Sequence, residues 1–547
     1  WEFSKAILQA RRNGTNNLHV RAAHDATVGG RTFRKGEMIP TGLDVPKGAL
    51  APMGMKMRFN RGRIQSGITC AACHSAFDQE TGKIVEGAPN KNINIGVLIA
   101  LASNTAGLFA NTGIESLEQF ITENSATIQD SNGKQIRLPD PVKLEEHVDR
   151  IFMSWPPGYF DSTVDLVANP SQIPDSFTWR DHPYGWTGFA AVGPFLGLSV
   201  LNNNVHALNS DGLSQAEASM ELFGFDKEYT YGIVLQNALR SRYRYNPFRE
   251  NRRPSEFFNS VDPSPMAPGV NTMVKIPTFP KGSLISPDGL FISLPGYGVW
   301  KHNNAMSAFQ NTLVPPPPPR GLDQKLVARG REIFQKADCA SCHSGPNFTN
   351  NELIPAPEVG SDPARALANR NNVNTMVFPP QTWSWDTPVP IPDNAKVLVV
   401  PTNHLSAREF ELAYAVGESP GGYKVKGLLG LYWSPPYLHD GGVAVGPDDR
   451  KDLGIPGTFE SHISPDPINS LRAMVDRNLR ARVIEANKAS ERMRLVNVSG
   501  IGHEHWVDEE AGFSREDQDA LIEYLLSLEF QPETTPPEVP VGVADGN

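Results

Sequence analysis

Only four cysteines occur in 547 residues, and no apolar run approaches the ~18 residues that a membrane-spanning helix requires. Positive charge is not in excess either: 50 Lys and Arg stand against 60 Asp and Glu, a formal net charge of −10. Sequence-independent nucleic-acid binding needs a positive face, so nucleic acid is excluded as a partner. The chain opens at Trp1 with no charged-then-apolar leader, which reads as a mature form whose signal peptide has been removed. Length is ample by contrast, and at roughly 100–200 residues per domain two or three packed cores are expected.

All four cysteines fall inside two Cys-x-x-Cys-His strings, Cys70-Ala71-Ala72-Cys73-His74 and Cys339-Ala340-Ser341-Cys342-His343. None is left for a structural disulfide. A thioredoxin-like pair or half a zinc site would also use Cys-x-x-Cys, but neither explains a histidine that follows immediately and does so twice. Two thiols at this spacing add to the two vinyl groups of one haem, and the next residue then supplies the proximal imidazole. The expected cofactors are therefore two covalently bound haems c. Cys70, Cys73 and His74 would hold haem one, and Cys339, Cys342 and His343 haem two. Haem is attached this way outside the cytoplasm, which implies a periplasmic or secreted protein.

The clearest punctuation is the five-proline run 315–319, a semi-rigid extended spacer. It divides the chain into an elaborated N-terminal haem domain (1–314), the linker (315–320), a C-terminal haem domain (321–530) and a proline-rich acidic tail (531–547). Residues 323–336 set Leu326, Val327, Gly330, Ile333 and Phe334 at helical spacing and end just before Cys339. Ser514 and Asp517 read as a capping box that opens a terminal helix bearing Leu521, Ile522, Leu525 and Leu526, expected to pack on the first. Further helical patterns occur at 114–124 and 237–243. The residues before Cys70 carry no apolar helical stripe, and 88–313 should build long ordered loops around haem one. The expected fold class is mainly α with extensive loops. A weak repeat pairs Gly298-Val299-Trp300-Lys301-His302-Asn303-Asn304 with the longer string from Gly430 to Gly441.

The octapeptide Ser434-Pro435-Pro436-Tyr437-Leu438-His439-Asp440-Gly441, about 95 residues after the second attachment site, resembles a signature of the bacterial di-haem cytochrome c peroxidase superfamily. That superfamily includes the enzyme that matures methylamine dehydrogenase and the rubber oxygenases, and the size of this chain resembles the large rubber-oxygenase-like branch. The resemblance implies Ca2+ near the signature, with the Ser434 and Pro436 carbonyls as candidate ligands. It departs at the electron-entry haem, where the family's Met falls on Leu453. Met474 and Met493 lie in arginine-rich helical segments and read as packing residues. Gly500-Ile501-Gly502-His503-Glu504-His505-Trp506 instead resembles the string that supplies a distal His in larger members, which makes His503 the distal ligand of haem two and His505 its rival.

Two imidazoles close an iron and lower its potential relative to Met, so haem two should store or relay electrons. The distal side of haem one stays open between a histidine, His206 first and His182, His147, His302 or His24 behind it, and a free position under an aromatic pocket. Trp179, Tyr184, Trp186, Phe189 and Phe195 are the aromatics in question, with Trp186, Phe189 and Phe195 as pocket candidates. Met53, Met55 and Met57 are expected against the haem edge. Trp300 and Trp433 are candidates to relay an oxidising equivalent. The expected activity is a di-haem oxidoreductase that activates peroxide or dioxygen at haem one, with an apolar substrate or a small redox protein as partner. The alternatives are an electron-transfer cytochrome, alone or as a subunit of a larger complex, with both haems six-coordinate, and an enzyme that oxidises residues of another protein.

Overall fold

The computed structural model describes residues 2–530 except 61–62, 103, 162, 164, 180–215, 217–218, 239–240, 262–298, 369, 372–380, 384–393, 395–396 and 400–405. Side chains are not described at 58–60, 63–66, 221, 299–304, 381–383, 397–399 and 410. Trp186, Phe189, Phe195, His182, Tyr184 and His206 therefore lie outside the described residues, as does the tail from 531. Trp300 and His302 fall in the helix Val299–Gln310, with their side chains outside.

The expectation of a mainly α chain is overturned. Among the described residues sixteen strands pair into eight separate two-stranded antiparallel sheets, interleaved with helices that are mostly short. The cause is punctuation: 47 glycines and 47 prolines interrupt the chain before a long helix can propagate, and a two-residue to six-residue strand paired only with its neighbour is what remains possible. The segment ahead of Cys70 is one of these ribbons, Met55–Asn60 against Arg63–Ile68, and a second, Ser75–Asp78 against Lys83–Glu86, follows His74. The first attachment site thus sits between two hairpins and lacks a lead-in helix.

The two helices expected around the second Cys-x-x-Cys-His string are present. Asp323 caps the helix Gln324–Lys336 by accepting from the backbone of Lys325 and Leu326, and Ser514 and Asp517 form a reciprocal capping box on Arg515–Leu526. The two helices cross so closely that a Cβ on Gly330 would lie 2.0 Å from the Ala520 carbonyl oxygen. Only glycine allows that approach. Two helical readings were misplaced. Residues 114–124 hold only the 3-10 turn Leu117–Phe120, and the helix expected at 237–243 runs instead over Lys227–Gln236, capped by Asp226.

Both large cores draw on residues from either side of the polyproline. One combines Phe109, Leu138, Phe152, Trp155 and Tyr159 with Ile455, Met493 and Val498. The other combines Val85 and Phe177 with Phe334, Leu471, Val483 and Leu521. The spacer itself is docked: Trp433 Nε1 donates to the Pro316 carbonyl at 2.9 Å, and Arg320 pairs with the Glu523 carboxylate at 2.5 Å. Among the described residues no helix is long and apolar enough to cross a membrane.

Candidate functional site

The two Cys-x-x-Cys-His strings fold alike. Each begins with a 3-10 turn, Cys70–Ala72 or Cys339–Ser341, and in each the histidine N–H donates to the first cysteine's carbonyl at 2.9 Å. One asparagine then locks each loop. Asn90 donates from its backbone to the Cys73 carbonyl and from Nδ2 to the Ala72 carbonyl, at 2.8 and 3.1 Å. Asn350 does the same to Cys342 and Ser341, at 2.9 and 3.2 Å. These asparagines escaped sequence reasoning because they follow the second cysteine at different distances. The correspondence belongs to the attachment loops alone: the paired Gly-aromatic strings differ in backbone, with the helix Val299–Gln310 in one and the 3-10 turn Leu431–Trp433 in the other.

All four cysteines are unpaired. Burial pushes the Cys73 thiol up to about 12 and that of Cys339 up to about 11. A reactive dithiol is activated in the opposite direction, so Cys73 and Cys339 do not resemble the nucleophile of a thiol-exchange pair. Each histidine is anchored through Nδ1. His74 donates to the Pro174 carbonyl at 3.0 Å and His343 to the Phe348 carbonyl at 3.2 Å. Such a bond fixes the tautomer and leaves Nε2 with its lone pair, the arrangement that orients a ligating imidazole. Burial holds both rings below the usual histidine range, His74 at about 4, so both are neutral and able to ligate at pH 7.

His503 faces His343. Their ring centroids stand 6.2 Å apart with planes inclined by 49°. Two imidazoles on one metal, at about 2.0–2.1 Å per nitrogen, would put their centroids about 6.3 Å apart. His503 Nδ1 is buried without a hydrogen-bond partner, at a cost of about 1–3 kcal/mol, so this ring lacks the Nδ1 anchor that His74 and His343 have. The ring is held at about 4, first by burial and then by the charges of His343, Arg480 and His505. His505, the rival, turns away and donates from Nε2 to the Ala337 carbonyl at 2.5 Å. The separation fits a haem that would be held by both His343 and His503.

The loop that carries His503 is strained and tightly held. Its φ is +53° at His503 and +116° at Gly502, where a Cβ would meet Ser361 Oγ at 2.1 Å. Asp440, from the octapeptide, accepts from the N–H groups of Ser499 and Gly500 at 2.9 and 2.7 Å. Arg480, buried like Asp440, donates to the carbonyls of Gly500 and Gly502 at 3.1 and 2.8 Å, and Asn487 donates to Ser499 at 3.0 Å. Met474 Sδ lies 3.1 Å from Arg480 and Met493 is fully buried in a core, so both methionines act as packing residues.

The octapeptide also grips the N-terminal half. Tyr159 donates to the Gly441 carbonyl at 2.8 Å, and Gln172 Nε2 donates to the Ser434 carbonyl at 2.7 Å, one of the two candidate calcium ligands. The Ser434 hydroxyl bonds Asp175 and the Gly430 carbonyl. Pro435-Pro436 is cis. His439 stacks on Tyr423 with centroids 4.6 Å apart.

Around the first Cys-x-x-Cys-His string the described residues place Trp179 against His74, with centroids 5.3 Å apart. It packs on the histidine expected to be proximal. Trp433 lies on the polyproline and against Tyr432, at 5.0 Å between rings. His147 is engaged at both nitrogens, by the Gly113 carbonyl and by Arg150, and His24 is exposed. Met55 packs in the small core that contains Ala72 and Cys73, whereas Met57 is 52 % exposed. The chain matches no protein-family model and no curated protein.

Proposed function

We propose that this chain is a di-haem c-type cytochrome oxidoreductase of the periplasm or cell exterior, similar to the large rubber-oxygenase-like branch of the di-haem peroxidase superfamily. The Cys70 site is the one that activates peroxide or dioxygen, and the Cys339 site relays electrons. The observation that carries this reading is the asymmetry between two otherwise matching loops: His343 faces a second imidazole at the separation one metal requires, and His74 does not face one among the described residues. Haem c supplies one-electron redox chemistry at each site and, where an axial position is free, a place for a small oxidant.

The protein's own contribution is orientation and exclusion. Pro174 and Phe348 fix the His74 and His343 rings through Nδ1, and His503 would close the Cys339 site to an added ligand. Trp179 shields His74 on the proximal side. The reading extends to a small redox protein as electron partner, an apolar co-substrate at the Cys70 site, and Ca2+ at the Ser434 and Pro436 carbonyls.

A pyridine haemochrome assay on the secreted protein should give two haems c per chain. EPR of the resting protein and carbon monoxide added after reduction should then report one low-spin and one open iron. One haem or none refutes the di-haem reading. Two low-spin irons with no carbon monoxide adduct would refute oxidant activation and leave an electron carrier.

A further inference from the structure

A short strip of chain joins the two proximal histidines. Pro174 accepts from His74 Nδ1 at 3.0 Å. The next residue, Asp175, receives Lys426 Nζ on Oδ2 at 2.9 Å, and the stretch that carries Lys426 runs along the loop that anchors His343: Thr349 Oγ1 donates to the Val425 carbonyl at 2.6 Å and the Leu428 N–H to the Asn347 carbonyl at 3.1 Å. The strip is anchored at both ends: Ser176 donates to the Gly87 carbonyl at 2.8 Å, and Gly87 to that of His74 at 3.0 Å. Thr178 Oγ1 takes a second bond from Lys426 at 3.1 Å, and a Cβ on Gly427 would lie 2.8 Å from Thr178. Asp175 is held further by the Phe177 N–H at 3.0 Å and by the Ser434 hydroxyl at 3.3 Å.

The pair is asymmetric. Asp175 is buried, with 3 % of its side chain exposed, whereas Lys426 is 53 % exposed. Its two charges act on the His74 ring in opposite senses, while the loop that anchors His343 is reached through the backbone on either side of the lysine. Hydrogen bonding and net charge behind an axial histidine are established controls on the potential of a haem iron.

We propose that Asp175 and Lys426 form a shared positioning element behind the two proximal histidines, which sets the potential of haem one by balancing opposite charges and is tied through the backbone beside Lys426 to the loop that anchors His343. The proposal rests on the di-haem reading. Losing the carboxylate leaves a lone cation that disfavours ferric iron, and losing the ammonium leaves a lone anion that favours it.

The test is potentiometric titration of the whole chain, with the haems distinguished by their spectra, after a pyridine haemochrome assay has established two haems per chain in each variant. Asp175→Asn should raise the haem-one midpoint and Lys426→Gln lower it. Each change should be on the order of tenfold in the reduction equilibrium, about 59 mV for one electron, with smaller shifts at haem two. The double variant should return haem one toward its original value. Lys426→Gln alters a half-exposed side chain, so it remains informative if Asp175→Asn fails to fold. Shifts of the same sign, no shift at haem one, or a double variant displaced further than either single one would overturn the proposal. Absence of haem in the parent protein would instead sink the di-haem reading itself.

Discussion

Replacing Asp440 by alanine removes the acceptor for three backbone N–H groups, those of Ser499, Gly500 and Gly442 at 2.9, 2.7 and 2.9 Å. The carboxylate is 2 % exposed, so water does not readily replace it. Each buried donor left unpaired costs about 1–3 kcal/mol, and relaxation of a glycine-containing loop should recover part of that. The buried Arg480 guanidinium would also lose the stronger of its two carboxylate attractions, Asp440 over Glu504, a smaller loss than breaking a direct ion pair. These costs overlap because they concern one knot, which puts the expected loss at about 4 kcal/mol. Urea unfolding of the haem-loaded protein measures it. Asp440→Asn, which keeps one acceptor and the side-chain volume, should lose about half as much. The strained His503 backbone depends on this knot, so Asp440→Ala should also convert part of the Cys339 site from low-spin to carbon monoxide-binding. A loss under about 1 kcal/mol would mean that the N–H groups have other partners and would refute the energetic argument. A large loss with the low-spin signal intact would refute the claim that the knot holds His503.

Three further outcomes are expected. His503→Ala should open the Cys339 site, seen as a new high-spin EPR signal and a second carbon monoxide adduct; an unchanged spectrum would exclude His503 as the axial ligand. Gly330→Ala should force apart the helices Gln324–Lys336 and Arg515–Leu526, because its Cβ would approach the Ala520 carbonyl oxygen to 2.0 Å. The cost of such overpacking is about 3 kcal/mol, and thermal unfolding that matched the parent would contradict this crossing. Asp44 bears on pH dependence: burial pushes its carboxyl from 3.8 up to about 8, and Oδ1 has no partner. Between about pH 4 and 8 the folded chain keeps a proton that the unfolded chain has lost, so folding stability falls as pH rises through that window. Asp44→Asn should remove this slope and gain on the parent between pH 5 and 8 in urea midpoints, and parallel curves for the two proteins would count against the assignment.

Local signals were read with most success where one element answers to its own residues. The Ser514–Asp517 box caps a helix where expected, and the helix read over 323–336 starts one residue on, behind Asp323 as its cap, because capping joins atoms within three residues of each other. The ribbons went unseen because strands of two to six residues are too short to display a period of two. The pattern at 114–124 failed for a related reason: its apolar residues Ile114, Leu117 and Phe120 are buried, but on a 3-10 turn followed by extended chain. An apolar spacing reports which side chains seek the core and leaves several backbones able to deliver them.

At the site, the two Cys-x-x-Cys-His strings are legible because haem attachment would demand that fixed spacing, whereas the groups that orient the histidines are not spaced at all. Pro174 bonds a histidine 100 residues away, and Asp175, Lys426, Asp440, Arg480 and Asn487 meet their partners only through folding. His503 and His505 were indistinguishable as residue types. Their separation comes from the loop: a positive φ aims one ring at His343, and the Ala337 carbonyl takes the other. By itself the sequence determined which atoms are able to bond a haem, since thiols and imidazoles at consecutive positions carry that chemistry in any fold. Tertiary structure alone decided which nitrogen stays free, which histidine faces another and which charges stand behind the proximal rings, because those depend on distances of a few ångströms between residues tens to hundreds of positions apart.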